Sequence, residues 1–258
     1  MKKPKWVIEK ERAKRAAAAE TVWLFGIHAV RDALANPARE RLRLVLTKNA
    51  ADRLGPALDG VDVTPEIVDP RKFNVPIDPA SVHQGAALEV KPLSWGPLAE
   101  LCAPRGTAPR VVVLDRVSDP HNVGAILRSA EVFGARAVIA TLRHSAPETG
   151  ALAKSASGAL ERQPYLRVRN LARALEELRE MGYLLVGLDG EAEAVLTAAH
   201  RPDTPLAIVL GAEGPGLRQL TKETCDMLAR IPATGTFGSL NVSNAAAIAL
   251  YETRDASD

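Results

Sequence analysis

Short apolar runs alternate with amphipathic stretches along most of this chain, and the alternation predicts an α/β protein. Near the start, "VWLFG" reads as a strand leading into a helix around His28 to Ala35. "RLRLVLT" reads as a second strand and "GAALEV" as a closing one. Gly, Pro and Asp punctuate the connections, as turn chemistry requires. Residues 21–92 therefore form a small α/β unit, within the size range of an independent domain.

The stretch "KPLSWGPLAELCAPRGTAPR" follows, with Pro92, Pro97, Pro104 and Pro109 spaced so that neither a long helix nor a central strand fits. It reads as a linker over 93–109, with room for a short helix at Leu98 to Cys102. Beyond it, "RVVVLD" is a β-branched run of the kind found in strands buried on both faces. "RAVIAT", "YLLVGL" and "LAIVLG" are further strands, and "NLARALEELREMG" is a helix stopping at Gly182. Strand–helix alternation on this scale predicts, over 110–258, a mostly parallel sheet with helices on both faces.

Composition narrows the class without choosing a function. At 258 residues, with 47% hydrophobic and 25% charged, the chain is long enough to bury a proper core and ordinary for a soluble globular protein. The formal net charge of +2 hides a basic arm over 1–20. There Lys2, Lys3, Lys5, Lys10, Arg12, Lys14 and Arg15 face only Glu9, Glu11 and Glu20. Such an arm either seats on nucleic acid or is simply solvated. No unbroken apolar region follows it, so it is no convincing export signal, and no run approaches the length of a membrane span. Cys102 and Cys225 lie far apart and read as reduced thiols in a cytosolic protein. With the five histidines scattered as well, no metal site is expected.

Three stretches could carry chemistry. In "LDRVSDPHNVGAILRSAEVFGA" a strand ends at Asp115 and a polar loop enters a helix. Asp119-Pro120 has the form of an N-cap and first-turn proline, and Asn122 is a rival cap. Val123, Ile126, Leu127, Ala130 and Phe133 make the apolar stripe; Gly124, Arg128 and Glu131 fall on the other face, where a weakly paired solvated surface is the plain reading. In "LAIVLGAEGPGLRQL" an apolar strand runs into Gly211, Glu213, Gly214 and Gly216, at the strand end where open α/β sheets bind ligands. The spacing matches neither the dinucleotide fingerprint nor a P-loop. In "GSLNVSNAAAIALYE" Ser239 can cap the last helix, and Asn241 and Ser243 add polar atoms beyond what a cap requires.

The order of these stretches adds what none has alone. An Asn-x-Gly-Ala-Ile-x-Arg segment, a strand-Gly-x-Glu-Gly-x-Gly loop and a C-terminal Ser-Leu-Asn-Val-Ser helix together resemble the three motifs of the SpoU/TrmH-type RNA ribose methyltransferases of the SPOUT superfamily. The resemblance runs from about Arg110 to Glu252. "FGIHAVRDAL" and "SVHQGAALEV" extend it to that family's N-terminal substrate-binding domain, in the arrangement of the enzymes that methylate a guanosine of 23S ribosomal RNA. Asn244 departs from the pattern, since a small apolar residue is expected there.

The resemblance implies a deep trefoil knot in the C-terminal domain, which topology rules alone would never suggest. It implies a homodimer and S-adenosylmethionine as cofactor. The positions carried over for the cofactor are Leu210, Gly211, Glu213, Gly216, Ile231, Pro232, Leu240 and Asn241. Those for catalysis are Arg128, Asn122, Glu213, Ser239 and Asn241, and those for substrate are His83, Gln84 and Arg128. The family gives the arginine the task of activating the ribose hydroxyl. A guanidinium with a pKa above about 12 is a poor neutral base, so Arg128 is expected to hold the adjacent phosphate and stabilise the developing alkoxide. The implied reaction is cytoplasmic methylation of a ribose 2′-hydroxyl in RNA. A tRNA methyltransferase of the same family is one alternative and a non-catalytic RNA-binding protein with the same fold is another. A nicotinamide oxidoreductase, the other α/β default, is disfavoured by the glycine spacing.

Overall fold

The computed structural model describes residues 21–105, 108–199, 203–233 and 240–254. The basic arm and Ser239 lie outside the described residues. The chain divides into two compact units, one comprising residues up to Ser94 with Glu148–Glu161, the other Trp95–Pro147 with Arg162 onward.

The first unit carries a four-stranded sheet in the order β1-β4-β2-β3, with β1 Val22–Phe25, β2 Arg41–Thr47, β3 Pro65–Val68 and β4 Ala86–Val90. β4 pairs antiparallel with β1 and β2, while β3 adds parallel to β2. Helices α1 (Ile27–Ala35) and α2 (Lys48–Leu54) complete it. Thr47 ends β2 and its hydroxyl caps α2 by accepting from the N–H of Ala50.

The second unit is built on seven strands in the order β7-β6-β5-β10-β8-β11-β9. These are β5 Arg110–Asp115, β6 Ala137–Thr141, β7 Tyr165–Val168, β8 Leu184–Leu188, β9 Ala194–Val195, β10 Leu206–Gly211 and β11 Met227–Arg230. Among the described residues all six pairings are parallel, which bears out the expected parallel sheet. The helices are α3 (Leu98–Leu101), α4 (Pro120–Val132), α5 (Gly150–Ala156), α6 (Leu171–Glu180), α7 (Leu196–Ala199), α8 (Gln219–Thr224) and α9 (Val242–Glu252); of these, α5 packs with the first unit. α6 starts at the Asn170 cap and stops before Gly182 at φ +92°. Leu98 and Cys102, from the proline-rich stretch, are buried in the core with Val111, Val113, Leu175 and Val209. Burial pushes the Cys102 thiol up to about 11 and the Cys225 thiol to about 12, so neither is a ready thiolate. Among the described residues no helix is long and apolar enough to cross a membrane, and no cluster of His, Cys, Asp and Glu could hold a metal.

Residues Glu148–Glu161 leave the strand–helix alternation of the second unit and are held in the first by a buried arginine. Arg39 is only 1% exposed. Its Nε and Nη2 donate to the two carboxylate oxygens of Glu161 at 3.0 and 2.7 Å, and its Nη1 donates to Glu148 at 2.5 Å and to the Lys91 carbonyl at 2.8 Å. Asn36 adds a hydrogen bond to Glu161 and the Leu93 N–H one to Glu148. One cation thus serves two carboxylates. Burial disfavours the charge on Arg39, but its two partners outweigh that and raise its pKa. Glu148 carries the surplus negative charge: burial pushes its pKa up, the field of Glu161 adds to this, and Arg39 only partly offsets it.

The triad yields a prediction with a definite sign. Arg39→Ala strands two buried carboxylates and should cost about 3–5 kcal/mol, whereas Glu148→Gln removes the surplus charge and should cost little. The folded pKa of Glu148 lies above its ordinary 4.5, so this group's stabilisation is full below that value and declines as pH rises through the folded pKa. Glu148→Gln lacks the decline. Denaturant unfolding from acid to neutral pH should show it gaining stability relative to wild type, and a relative loss would contradict the charge assignment.

Candidate active site at the carboxyl edge of the parallel sheet

Chain order and sheet order part company between β5 and β10. From β5 the chain steps outward through β6 to β7, then returns to build β8, β10, β11 and β9 on the other side. The last residues of the two strands, Asp115 and Gly211, are register partners. The loops leaving them therefore diverge at a topological switch point, where parallel α/β sheets open a crevice.

Asp115 fixes one wall. Its side chain is wholly buried, and its carboxylate accepts from the Arg218 N–H at 3.1 Å, Arg218 Nε at 2.7 Å and Thr221 Oγ1 at 2.7 Å. The loop after β10 is thereby tied to the end of β5. Within that loop the Gly216 N–H donates to the Ala212 carbonyl at 2.9 Å, folding the segment back over Gly211. A Cβ on Gly211 would stand 2.0 Å from the Gly216 carbonyl carbon and 2.2 Å from the Leu217 nitrogen. Gly211 is required by close backbone approach, and Gly214 and Gly216 by positive φ (+83° and +68°).

Three expected residues converge above this loop. Glu213 Oε1 accepts from Asn241 Nδ2 at 2.5 Å and Asn122 Nδ2 at 3.2 Å, with the Val242 N–H at 3.5 Å. Asn241 Nδ2 also donates to Asn122 Oδ1 at 3.0 Å. Residues from the first turn of α4, the glycine loop and the entry to α9 thus form one network. A carboxylate against the N-terminus of α9 suits the helix dipole as well.

Local capping explains why the chain folds this way, with one expectation met and one corrected. Asp119 caps α4, accepting from the His121 N–H at 2.9 Å, with Pro120 in the first turn; the rival Asn122 sits inside the helix and is freed for Glu213. α9 begins at Val242, and its cap is Asn241, not Ser239. Asn241 Oδ1 accepts from the Ser243 N–H at 2.9 Å, Ser243 Oγ at 2.6 Å and the Asn244 N–H at 3.4 Å. The polar density before the last helix is therefore one asparagine used twice, its oxygen for the helix and its nitrogen for Glu213. Asn244, the departure from the expected pattern, is exposed and disturbs no packing.

The remaining described positions do not join this network. Arg128 is exposed on α4, and among the described residues it has no hydrogen-bond or ion-pair partner. Glu131 pairs with Arg162 instead, and Gly124 is buried rather than on the solvated face, so the apolar stripe is wider than periodicity implies. Leu210 is buried at the end of β10, Ile231 is half-buried after β11, Pro232 and Gly216 are exposed, and Leu240 is 48% exposed beside Asn241. His83 and Gln84 belong to the first unit. Gln84, at φ +54°, accepts from the Ile27 N–H at 3.2 Å through Oε1, and His83 Nδ1 accepts from the Gly85 N–H at 3.1 Å.

Sequence reasoning passed over Asp115, which no motif singles out, and a basic rim. Arg116 (φ +63°) and His144 (φ +64°) are exposed non-glycine residues in left-handed conformation after β5 and β6, with exposed Arg143 between the second of them and its strand. The Ala146 N–H to Val117 carbonyl bond joins those two loops. Strained non-glycine backbone of this kind collects at functional edges.

A parallel sheet with a polar network at its switch point has the form of an α/β enzyme that binds its ligands at the strand ends. The chain belongs to the SpoU rRNA Methylase family, which matches residues 109–251, and residues 23–95 match the RNA 2′-O ribose methyltransferase substrate-binding family. It is 42% identical to the 23S rRNA (guanosine-2′-O-)-methyltransferase RlmB of Vibrio vulnificus over 236 residues, covering 89% of this chain and 95% of that protein. Among solved structures it resembles the SpoU methyltransferase AviRb from Streptomyces viridochromogenes in complex with AdoMet, with a TM-score of 0.75, 23% identity and coverage of 93% and 91%. A structure solved for 2-OH methylation of C/U34 on tRNA aligns with a TM-score of 0.50 and 22% identity, covering 57% of this chain and 94% of that one.

The glycine loop gives the second prediction. Gly211→Ala forces Cβ into backbone that cannot rotate away, so the loop must move or the strand end must part from β5. A loss of about 1–3 kcal/mol is expected, seen as a lower thermal midpoint, while Gly214→Ala meets open space and should cost only the strain of a left-handed L-residue, about 1–2 kcal/mol. Equal stability of Gly211→Ala and wild type would show that the loop is not packed as described.

Proposed function

We propose that this protein transfers a methyl group from S-adenosylmethionine to the ribose 2′-hydroxyl of a guanosine in 23S ribosomal RNA. The observation that carries the reading is the junction of Asn122, Glu213 and Asn241 at the switch point, with Arg128 exposed on the same helix as Asn122. The 42% identity to the Vibrio enzyme over nearly its full length supports the guanosine and ribosomal choice.

The residues present fit the cofactor. The edge offers main chain at Gly211 and Gly216, apolar surface at Ile231, Pro232 and Leu240, and a carboxylate at Glu213, a set that suits an adenosine with a cationic sulfonium and demands no metal ligand. When bound, S-adenosylmethionine supplies a methyl group already activated by the sulfonium. The protein's own tasks are alignment and management of the hydroxyl proton. Arg128 would hold the phosphate next to the target ribose and stabilise negative charge growing on O2′, whose proton would go to solvent or substrate phosphate while the methyl left the sulfonium, with S-adenosylhomocysteine as leaving group. Asn122, Glu213 and Asn241 form the polar shell that orients the ribose and the glycine loop, with Ser239 completing it. His83 and Gln84 serve the substrate from the first unit, and the basic arm adds phosphate contacts.

The tRNA alternative is the weaker reading. The tRNA-directed structure matches 57% of this chain, whereas the Vibrio rRNA enzyme matches 89%. We also infer a trefoil knot, supported by the return of α9 after β11 to pack on α4 and β10. We infer a homodimer as well, on the resemblance of the three motifs to the family. A cytoplasmic location follows from the ribosomal substrate.

Calorimetry should show binding of S-adenosylmethionine and none of NAD. Arg128→Ala should leave cofactor affinity unchanged and lower the methylation rate by about 10²–10³, with Arg128→Lys recovering part of it through charge without the bidentate fork. Near-normal turnover by Arg128→Ala with an intact fold would remove the arginine from the mechanism.

A further inference from the structure

We infer that Phe73 and His83 form a platform on which an unpaired base of the RNA stacks; the inference rests on the reading of the protein as an RNA methyltransferase and adds a subsite to it. The two rings lie parallel, with centroids 4.3 Å apart and planes within 6°. The chain contains only four phenylalanines, and this one stacks on a histidine at the surface rather than in the core. Both residues stay half-buried. The stack is not sealed, and an aromatic face at a half-open position is the surface that a splayed nucleobase covers.

Backbone geometry presets both rings. Phe73 follows the 3₁₀ turn Pro70–Lys72, which starts where the Asp69 carboxylate accepts from the Arg71 N–H at 2.8 Å. His83 sits before a pair of left-handed residues, Gln84 (φ +54°) and Gly85 (φ +76°), and its Nδ1 is engaged by the Gly85 N–H. A Cβ on Gly85 would lie 2.2 Å from Thr47 Oγ1, so the turn is pressed onto the end of β2 and cannot drift. Rings held in place before binding lose little freedom when a base arrives.

The surroundings match a nucleotide rather than an apolar ligand. Arg71 and Lys72, immediately before Phe73, are exposed, and among the described residues neither forms an ion pair. They can meet the phosphates that flank a stacked base. Gln84 is exposed and spends its Oε1 on the Ile27 N–H, and among the described residues its Nε2 has no partner, so the amide keeps a donor for a base edge or ribose. Val82, 61% exposed, adds apolar surface beside His83. Aromatic surface, unpaired cations and a fixed donor within two short segments form the combination that binds single-stranded RNA.

The test uses the full chain with unmodified 23S rRNA transcript and with a short unstructured RNA carrying 2-aminopurine. Phe73→Leu keeps apolar volume but loses the ring, and His83→Asn keeps an acceptor for the Gly85 N–H. Each should weaken RNA binding about tenfold without changing its salt dependence, since no phosphate contact is lost. Phe73→Trp should restore affinity, which a merely structural role for Phe73 would not require. Arg71→Ala with Lys72→Ala should instead flatten the salt slope. The 2-aminopurine signal should quench on binding to wild type, a readout that holds even if Phe73→Leu does not fold. Wild-type affinity in Phe73→Leu, or bound RNA with no quenching, would overturn the platform while leaving methylation standing. Failure of wild type to bind or methylate either RNA would instead defeat the functional reading itself.

Discussion

The parallel pairing of β10 with β5 is the constraint on which the site depends. Six residues of each strand run in register, from Leu206 opposite Arg110 to Gly211 opposite Asp115, and both strands are buried along almost their whole length. This insertion makes the switch point. It brings the buried Asp115 carboxylate under the loop that leaves β10, where it gathers Arg218 and Thr221, and it forces that loop to fold over a residue with no side chain. Only then does Glu213 reach Asn122 and Asn241, residues 91 positions before it and 28 after it. The polar network is a consequence of strand order, and the helices that supply its other members are positioned by caps at Asp119 and Asn241.

Much of this was legible from the pattern of side chains, for physical reasons that also mark where legibility stopped. Strands buried on both faces, such as "RVVVLD" and "LAIVLG", announce themselves as continuous apolar runs. Helices with an Asp or Asn cap and a glycine stop do the same. β3 gives almost no signal: "PEIV" opens on a proline, its two central residues are exposed, and it survives as an edge strand by pairing with β2. Glu148–Glu161 carried no hint that it packs with the first unit, because what holds it there is Arg39, more than 100 positions away.

The candidate site divides along the same line. Motif order pointed to Asn122, Glu213 and Asn241, and their mutual hydrogen bonds give that order a geometry. Ser239 and Asn241 are equally good cap residues by type, so sequence alone does not separate them; the structure uses Asn241, with both ends of its amide. Asp115 stayed invisible because one aspartate at a strand end has no spacing to recognise. The Phe73–His83 stack joins residues ten apart in a turn-rich stretch with no helical or strand period, so no sequence pattern pairs them.

The most direct measurement of the central claim is methylation of unmodified 23S rRNA and of tRNA by the purified full chain with labelled S-adenosylmethionine, followed by mapping of 2′-O-methyl positions. Label is expected on the ribose of a guanosine in 23S rRNA and none in tRNA. Label confined to tRNA, or placed on a base instead of a ribose, would contradict the claim.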